Sequence, residues 1–181
     1  MAEVNSRIVE FFVSQLGGNA SLEKYRKQGE WASKDVIPAF TKALLAKGNR
    51  MQLKHAGRAF SAIVMEDLDS MYEYATVQEA IEFLPKIFTH YLHGEGSGIW
   101  KTDNISPGFV CLRENTPFDC FFTEGLLLGL LQNLGAAGAV VHQTDCREEN
   151  PRAKFCVYEL KWMRSNLARP AGMQRDPKRP R

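Results

Sequence analysis

The feature that most limits the folds open to this chain is a change of hydrophobic period at Gly94. Before it, apolar residues recur at helical spacing; after it, two pairs of short alternating runs flank one apolar helical stretch. Ile8, Val9, Phe11, Phe12, Val13 and Leu16 predict a helix stopped by Gly17-Gly18, with Asn19 or Ser21 capping the next. Helical spacing continues from Ser21 to Lys47 through Leu22, Tyr25, Val36, Phe40 and Leu44, with a break expected near Pro38 and a stop at Gly48. A longer helix is expected from about Met51 to Tyr74. Thr76 followed by Glu79 has capping-box spacing and starts a fourth helix ending at Gly94, which Pro85 should kink or divide.

Beyond Gly94, Gly98 to Asn104 and Gly108 to Glu114 read as strands joined through Ile105-Ser106-Pro107. Pro117 opens an apolar helix that runs to Leu134 and is closed by Gly135. Two further strands, Ala139 to Arg147 and Ala153 to Met163, are joined by residues 148–152. Strands that follow one another directly pair antiparallel, whereas a parallel sheet needs helices between them. The order therefore predicts an α+β fold, with N-terminal helices packed on an antiparallel sheet of two hairpins and an intervening helix.

Charge divides the chain. Residues 164–181 carry six Lys/Arg against Asp176 alone, a net +5, so the overall +2 leaves about −3 for residues 1–163. The expected organisation is one ligand-binding-like domain over 1–163 and a disordered basic tail over 164–181, whose prolines and charges cannot bury a core. A mildly acidic domain surface argues against a nucleic-acid footprint. Met1 to Ser6 lacks a basic and apolar leader, and the apolar run Gly125 to Leu131 falls far short of the ~20 residues of a membrane span. The expectation is a cytoplasmic protein, in which the four cysteines are thiols or metal ligands rather than disulfides.

No phosphate-binding loop, nucleophile elbow or H-E-x-x-H metal motif is present. Gly94-Glu95-Gly96-Ser97-Gly98 precedes a strand, not a helix N-terminus, so a flexible turn suits it better than a phosphate cradle. Gly125 and Gly129 lie one turn apart on the apolar helix, where close packing or room for a ligand would both account for them. If the last hairpin is symmetric about Pro151, Cys146 and Cys156 face each other. His142 would share the face of Cys146, and Cys120, in the first turn of the preceding helix, could close the group. Three thiols and an imidazole suffice for a structural zinc ion, although cysteines in a reduced core need no metal. His90 either caps its helix as a cation or faces inward with Trp100 as the polar contact of an apolar pocket. Such a pocket would be lined by Phe88, Trp100, Phe109, Phe122 and Leu126.

Phe118 to Trp162, from FDCFFTEGLLLGLL through VVHQTDCREENPRAKFCVYELKW, resembles the C-terminal half of the 4-vinyl-reductase-like ligand-binding superfamily. That superfamily includes transport-particle subunits of the Bet3 type, haem nitric-oxide-binding domains and phenol-responsive sensor domains. LPKIFTHYLHG, Leu84 to Gly94, resembles the helix before the first hairpin of those sensors, where a histidine matching His90 contacts the ligand. Trp100 matches a strand tryptophan of the same sensors. The resemblance covers about 80 residues. It implies a zinc site of three cysteines and a glutamate, matched by Cys120, Cys146 and Cys156, with Gln143 at the glutamate position. It argues against haem, because the matched region offers no clear axial histidine. The expected function is a non-enzymatic sensor or adaptor domain for a small apolar or aromatic ligand, acting through a protein partner. A ligand-free dimeric interaction module is the alternative, and an enzyme acting on a tetrapyrrole vinyl group rests on the family's name alone.

Overall fold

A computed structural model describes residues 2–17, 20–26, 29–48, 50–147, 149–150 and 152–165. The expected tail therefore lies outside the described residues from 166 onward, as do Gly18 and Asn19. The chain forms β1 (Glu3–Asn5), α1 (Ser6–Gln15), α2 (Ala20–Arg26), β2 (Trp31–Ser33), α3 (Val36–Lys47) and α4 (Arg50–Met71). Then come α5 (Val77–Glu82), α6 (Leu84–Tyr91), β3 (Leu92–His93), β4 (Trp100–Ser106), β5 (Phe109–Glu114) and α7 (Cys120–Asn133). The last elements are β6 (Ala136–Ala137), β7 (Val140–Asp145), β8 (Cys156–Lys161) and β9 (Arg164–Ser165).

The α+β expectation holds. Both hairpins belong to one antiparallel sheet in the order β4-β5-β8-β7, its centre closed by the β5–β8 pair. The inner face carries Val110, Leu112 and Glu114 of β5, Cys156, Tyr158 and Leu160 of β8, and Val141 of β7, all buried beneath the helices. A second sheet, β2-β1-β3, is absent from the reading of the sequence. Its strands are two or three residues long, too short for alternation to register, yet Val4, Ala32 and Leu92 are buried. Arg164 and Ser165 pair with Ala136 and Ala137, so ordered structure passes the expected boundary at 163 by two residues.

Proline sits where it costs least. Pro38 falls in the first turn of α3 rather than breaking a helix, and Pro85 in the first turn of α6, where the missing N–H has no intrahelical partner to lose. The capping box forms: Thr76 Oγ1 accepts from Glu79 N at 3.1 Å, and Glu79 Oε2 accepts from Ala75 N at 2.7 Å. Thr76→Ala is expected to cost about 1 kcal/mol. A urea midpoint equal to that of the wild type would show that packing alone sets the start of α5.

The centre of the helical layer is the α4–α7 pair. A Cβ on Gly57 would collide with the Phe122 carbonyl, and one on Gly125 with the Lys54 carbonyl. At Gly129 it would meet the Ser61 hydroxyl and the Arg58 carbonyl. These glycines let two helix backbones touch, so the choice left open for Gly125 and Gly129 resolves to packing. Around this seam the rings interlock: Phe12 stacks on Phe40 at 3.9 Å, Phe118 on Phe122 at 5.2 Å, and Phe60 lies 5.8 Å from Phe122. A polar tie joins three helices. Asp67 of α4 accepts hydrogen bonds from Arg7 of α1 and from the Tyr91 hydroxyl of α6, and burial, reinforced by Asp67, raises the Tyr91 phenol.

Candidate functional site

Three of the four expected metal ligands meet. Cys120 Sγ lies 3.0 Å from Cys146 Sγ and 3.1 Å from Cys156 Sγ, and all three sulfurs are within 4.8 Å of one another. Each arrives by a local device. Asp119 caps α7 by accepting from Phe121 N at 2.8 Å, which fixes Cys120 at the first helical position. Cys156 opens β8 on its inner face. Cys146 follows β7 in a turn held by Asn150 N donating to its carbonyl at 2.8 Å.

His142 does not join them. The β7–β8 register shifts between Gln143 and Asp145, and the extra residue inverts the alternation, so His142 and Cys146 end on different faces. The imidazole is exposed, opposite Glu159. Gln143 precedes the bulge and alternates regularly with the buried Val141, so it faces inward, where its amide comes within hydrogen-bonding reach of Cys120; the extra residue instead brings Cys146 to that side. The four-residue spacing from His142 to Cys146 predicted a shared face only for an unbroken strand.

The sulfurs lie in a buried polar group that the sequence reading did not single out. Glu114 is fully buried and stands opposite Cys156 in the β5–β8 register. Its Oε2 accepts from Thr116 N at 2.6 Å and from the Thr116 hydroxyl, while Oε1 has no partner. Burial pushes this carboxyl above the usual range, against the pull of Thr116 and Arg147. The Cys156 thiol, and then burial, push the Cys120 thiol up. Tyr158 closes the base of the group, its hydroxyl donating to Cys120 O at 3.4 Å. One signal could have exposed Glu114: it shares parity with Val110 and Leu112, so a strand with those two inward also turns Glu114 inward.

The expected ligand-binding residues do not converge. Phe88 and Trp100 stack at 4.4 Å and line a depression of about 350 Å³ between α6 and the start of β4, together with Thr89, Leu92, His93 and Ile99. The Trp100 indole N–H is buried there without a partner. Phe122 and Leu126 lie deeper, in the α7 core. Phe109 sits half-buried on the opposite sheet face, its ring 5.6 Å from the Lys161 ammonium. His90 is exposed in the last turn of α6, because two residues carry a helix about 200° round and Phe88 already faces inward. It is not among the residues that line the depression.

No family profile matches the chain and no curated protein does. Solved structures do. The chain is similar to the H-NOX protein of S. oneidensis in its Fe(II)NO ligation state, with 13% identity and a TM-score of 0.65 over 88% of this chain and 99% of that one. A second structure of an S. oneidensis H-NOX protein, in the Fe(II) ligation state, gives 17% identity and 0.63 over 88% and 95%. A third, described as probing the function of haem distortion in the H-NOX family, gives 9% and 0.61 over 88% and 87%. Likeness at these identities concerns the fold. The structures it relates this chain to are H-NOX domains, and the shared feature is their α+β fold.

It also overturns the expectation against haem. That expectation rested on a match confined to the C-terminal half, whereas the fold likeness extends over 88% of the chain. Haem therefore belongs among the ligands to be tried. For an iron ligand the described conformation offers no inward imidazole. His55, His90 and His142 are exposed, and His93 lies half-exposed between Glu3, at 2.9 Å, and the Trp31 ring. With phenylalanine rings filling the helical interior as well, the side chains as placed do not form a histidine-ligated haem site.

Proposed function

We propose that this chain is a non-enzymatic small-molecule sensor domain that acts through a protein partner, with its last hairpin fastened to α7 by a zinc ion on Cys120, Cys146 and Cys156. The observation that carries the reading is the three-thiol group at the junction of helix and hairpin, in a fold shared with H-NOX proteins. Three thiolates around one ion bind only when deprotonated, and a bound zinc takes the place of the protons that burial otherwise holds on the sulfurs. For the signalling ligand, the depression beside Phe88 and Trp100 is mostly apolar, with the Thr89 and Thr116 side chains among its lining, a composition suited to a ring or chain bearing one hydrogen-bonding group. Among the described residues no helix is long and apolar enough to cross a membrane.

One observation favours the alternative of a ligand-free, dimeric interaction module: the rings of Phe12, Phe40, Phe60, Phe118 and Phe122 fill the helical interior. The two readings separate experimentally. Native mass spectrometry and elemental analysis of protein purified without chelator are expected to find stoichiometric zinc. A thermal-shift screen of phenols, fatty acids and haem is expected to find a stabiliser. A ligand confined to the folded state adds about 2.7 kcal/mol at a hundred times its dissociation constant. Absence of zinc would end the metal reading. Absence of any stabiliser, with a dimer in the native spectrum, would transfer the function to the interaction module.

A further inference from the structure

Charge is sorted along α4. From Arg50 to Arg58 the helix carries three cations and no acid, and from Glu66 to Asp69 three acids and no cation. This order opposes the helix macrodipole, which favours anions at the N-terminus and cations at the C-terminus. Part of the charge is met within the chain. Lys54 pairs with Glu124 of α7, Arg50 lies 5.1 Å from the Phe121 ring, and Asp67 turns inward to Arg7 and Tyr91. On the solvent side His55, Arg58, Ala59, Ala62, Glu66 and Asp69 are all exposed, and they share an arc of about 100° on the helix. Glu66 accepts from Arg7 at 3.1 Å, yet its side chain stays 72% exposed and keeps lone pairs for a second donor.

Such a face is complementary to itself when reversed. A two-fold interface requires that one residue meet a second while the second meets the first. With the axis at Ala62, two antiparallel copies of α4 set Arg58 of each against Glu66 of the other and His55 against Asp69, since each pair stands equally far in sequence on either side of Ala62. Ala59 and Ala62 offer only methyl groups at the crossing, so the two helix axes can approach closely. We propose that this face of α4 is a docking surface for a second copy of the chain, packed antiparallel about a two-fold axis at Ala62. The helix then packs on both sides, with Gly57 and Ser61 toward α7 and Ala59 and Ala62 toward the other copy. Charge also sets the direction, because a parallel, in-register approach places Arg58 beside Arg58 and Glu66 beside Glu66. The inference stands apart from the zinc and ligand readings.

The test is sedimentation equilibrium of the reduced full-length chain. Wild type is expected to form a dimer that weakens at least about tenfold when the salt concentration is raised about tenfold, which shortens the Debye length about threefold. Arg58→Glu and Glu66→Arg each create two like-charged pairs and should weaken self-association by at least about tenfold. Mixed in equal amounts, they regain opposite charges at both pairs, so the mixture should associate more tightly than either variant alone. Ala62→Glu and Ala62→Lys leave the internal Arg7–Glu66 pair untouched and carry the same logic on the axis. Each should repel its own copy, and their mixture should associate more tightly than either. Urea midpoints close to that of the wild type are expected for all four, because the substituted side chains are exposed. A wild type that is monomeric at low salt would overturn the proposal. So would assembly beyond a dimer, single variants that dimerise as the wild type does, or mixtures that associate no better than their components.

Discussion

Phe122→Ala is expected to destabilise the protein by about 3–5 kcal/mol, the usual cost of deleting a fully enclosed ring. Phe122 is 2% exposed and contacts four other phenylalanines: Phe118 in parallel at 5.2 Å, Phe60 at 5.8 Å, and Phe12 and Phe40 edge-on at 6.0 and 6.3 Å. Those partners are contributed by α1, α3, α4 and the segment before α7, so the void cannot close by the shift of a single element. A urea or guanidinium midpoint reports the loss. The result also bears on ligand binding. A residue lining an open cavity could be truncated at a cost well below 1 kcal/mol, and that outcome would mean that the interior holds room for a ligand after all.

The second large effect reverses a familiar sign. In an exposed helix, Gly→Ala stabilises by about 1 kcal/mol. At Gly57 and Gly125 it is expected to destabilise by about 3 kcal/mol, the upper end of the overpacking range, because the added Cβ meets a backbone carbonyl of the opposing helix. At Gly129 the nearest backbone atom, the Arg58 carbonyl, stands at 2.9 Å rather than 1.9 or 2.0 Å, and the Ser61 hydroxyl must give up its place between that carbonyl and Asn133, so Gly129→Ala should cost less than either. The ranking is the discriminating measurement. Equal and small losses at all three positions would show that α4 and α7 can separate freely, and the contact of their backbones would not be what sets the helical layer.

Much of this architecture was legible before any coordinates. The switch of period at Gly94 separates helices from hairpins, and Thr76 with Glu79 marks the start of α5 by a hydrogen-bonded box that needs only local chain. The symmetry of the last hairpin brings Cys146 to Cys156, and Cys120 reaches both from the head of α7. These features depend on residues close in sequence or on strands joined by one turn, where spacing translates directly into geometry.

The failures share the opposite property. Unbroken alternation puts His142 and Cys146 on one face, but an extra residue after Gln143 carries Cys146 to the inner side and leaves His142, next to the buried Val141, on the outer one. Spacing alone suits His90 both to a helix end and to a pocket, and only the packing of Phe88 against Trp100 decides which way that turn of α6 faces. The strands β1, β2 and β3 are too short to carry a pattern, and exist because distant segments supply their partners. Glu114 shows the division most plainly. Its alternation with Val110 and Leu112 is written in the chain, but nothing local says that a helix head and two more cysteines will cover it. Where a strand runs unbroken, as β5 does from Val110 to Glu114, the side each residue occupies follows from bond geometry repeated along the backbone. Tertiary structure decided which of those sides are sealed from water and which charged groups then lack a partner, because desolvation depends on atoms brought from elsewhere in the chain.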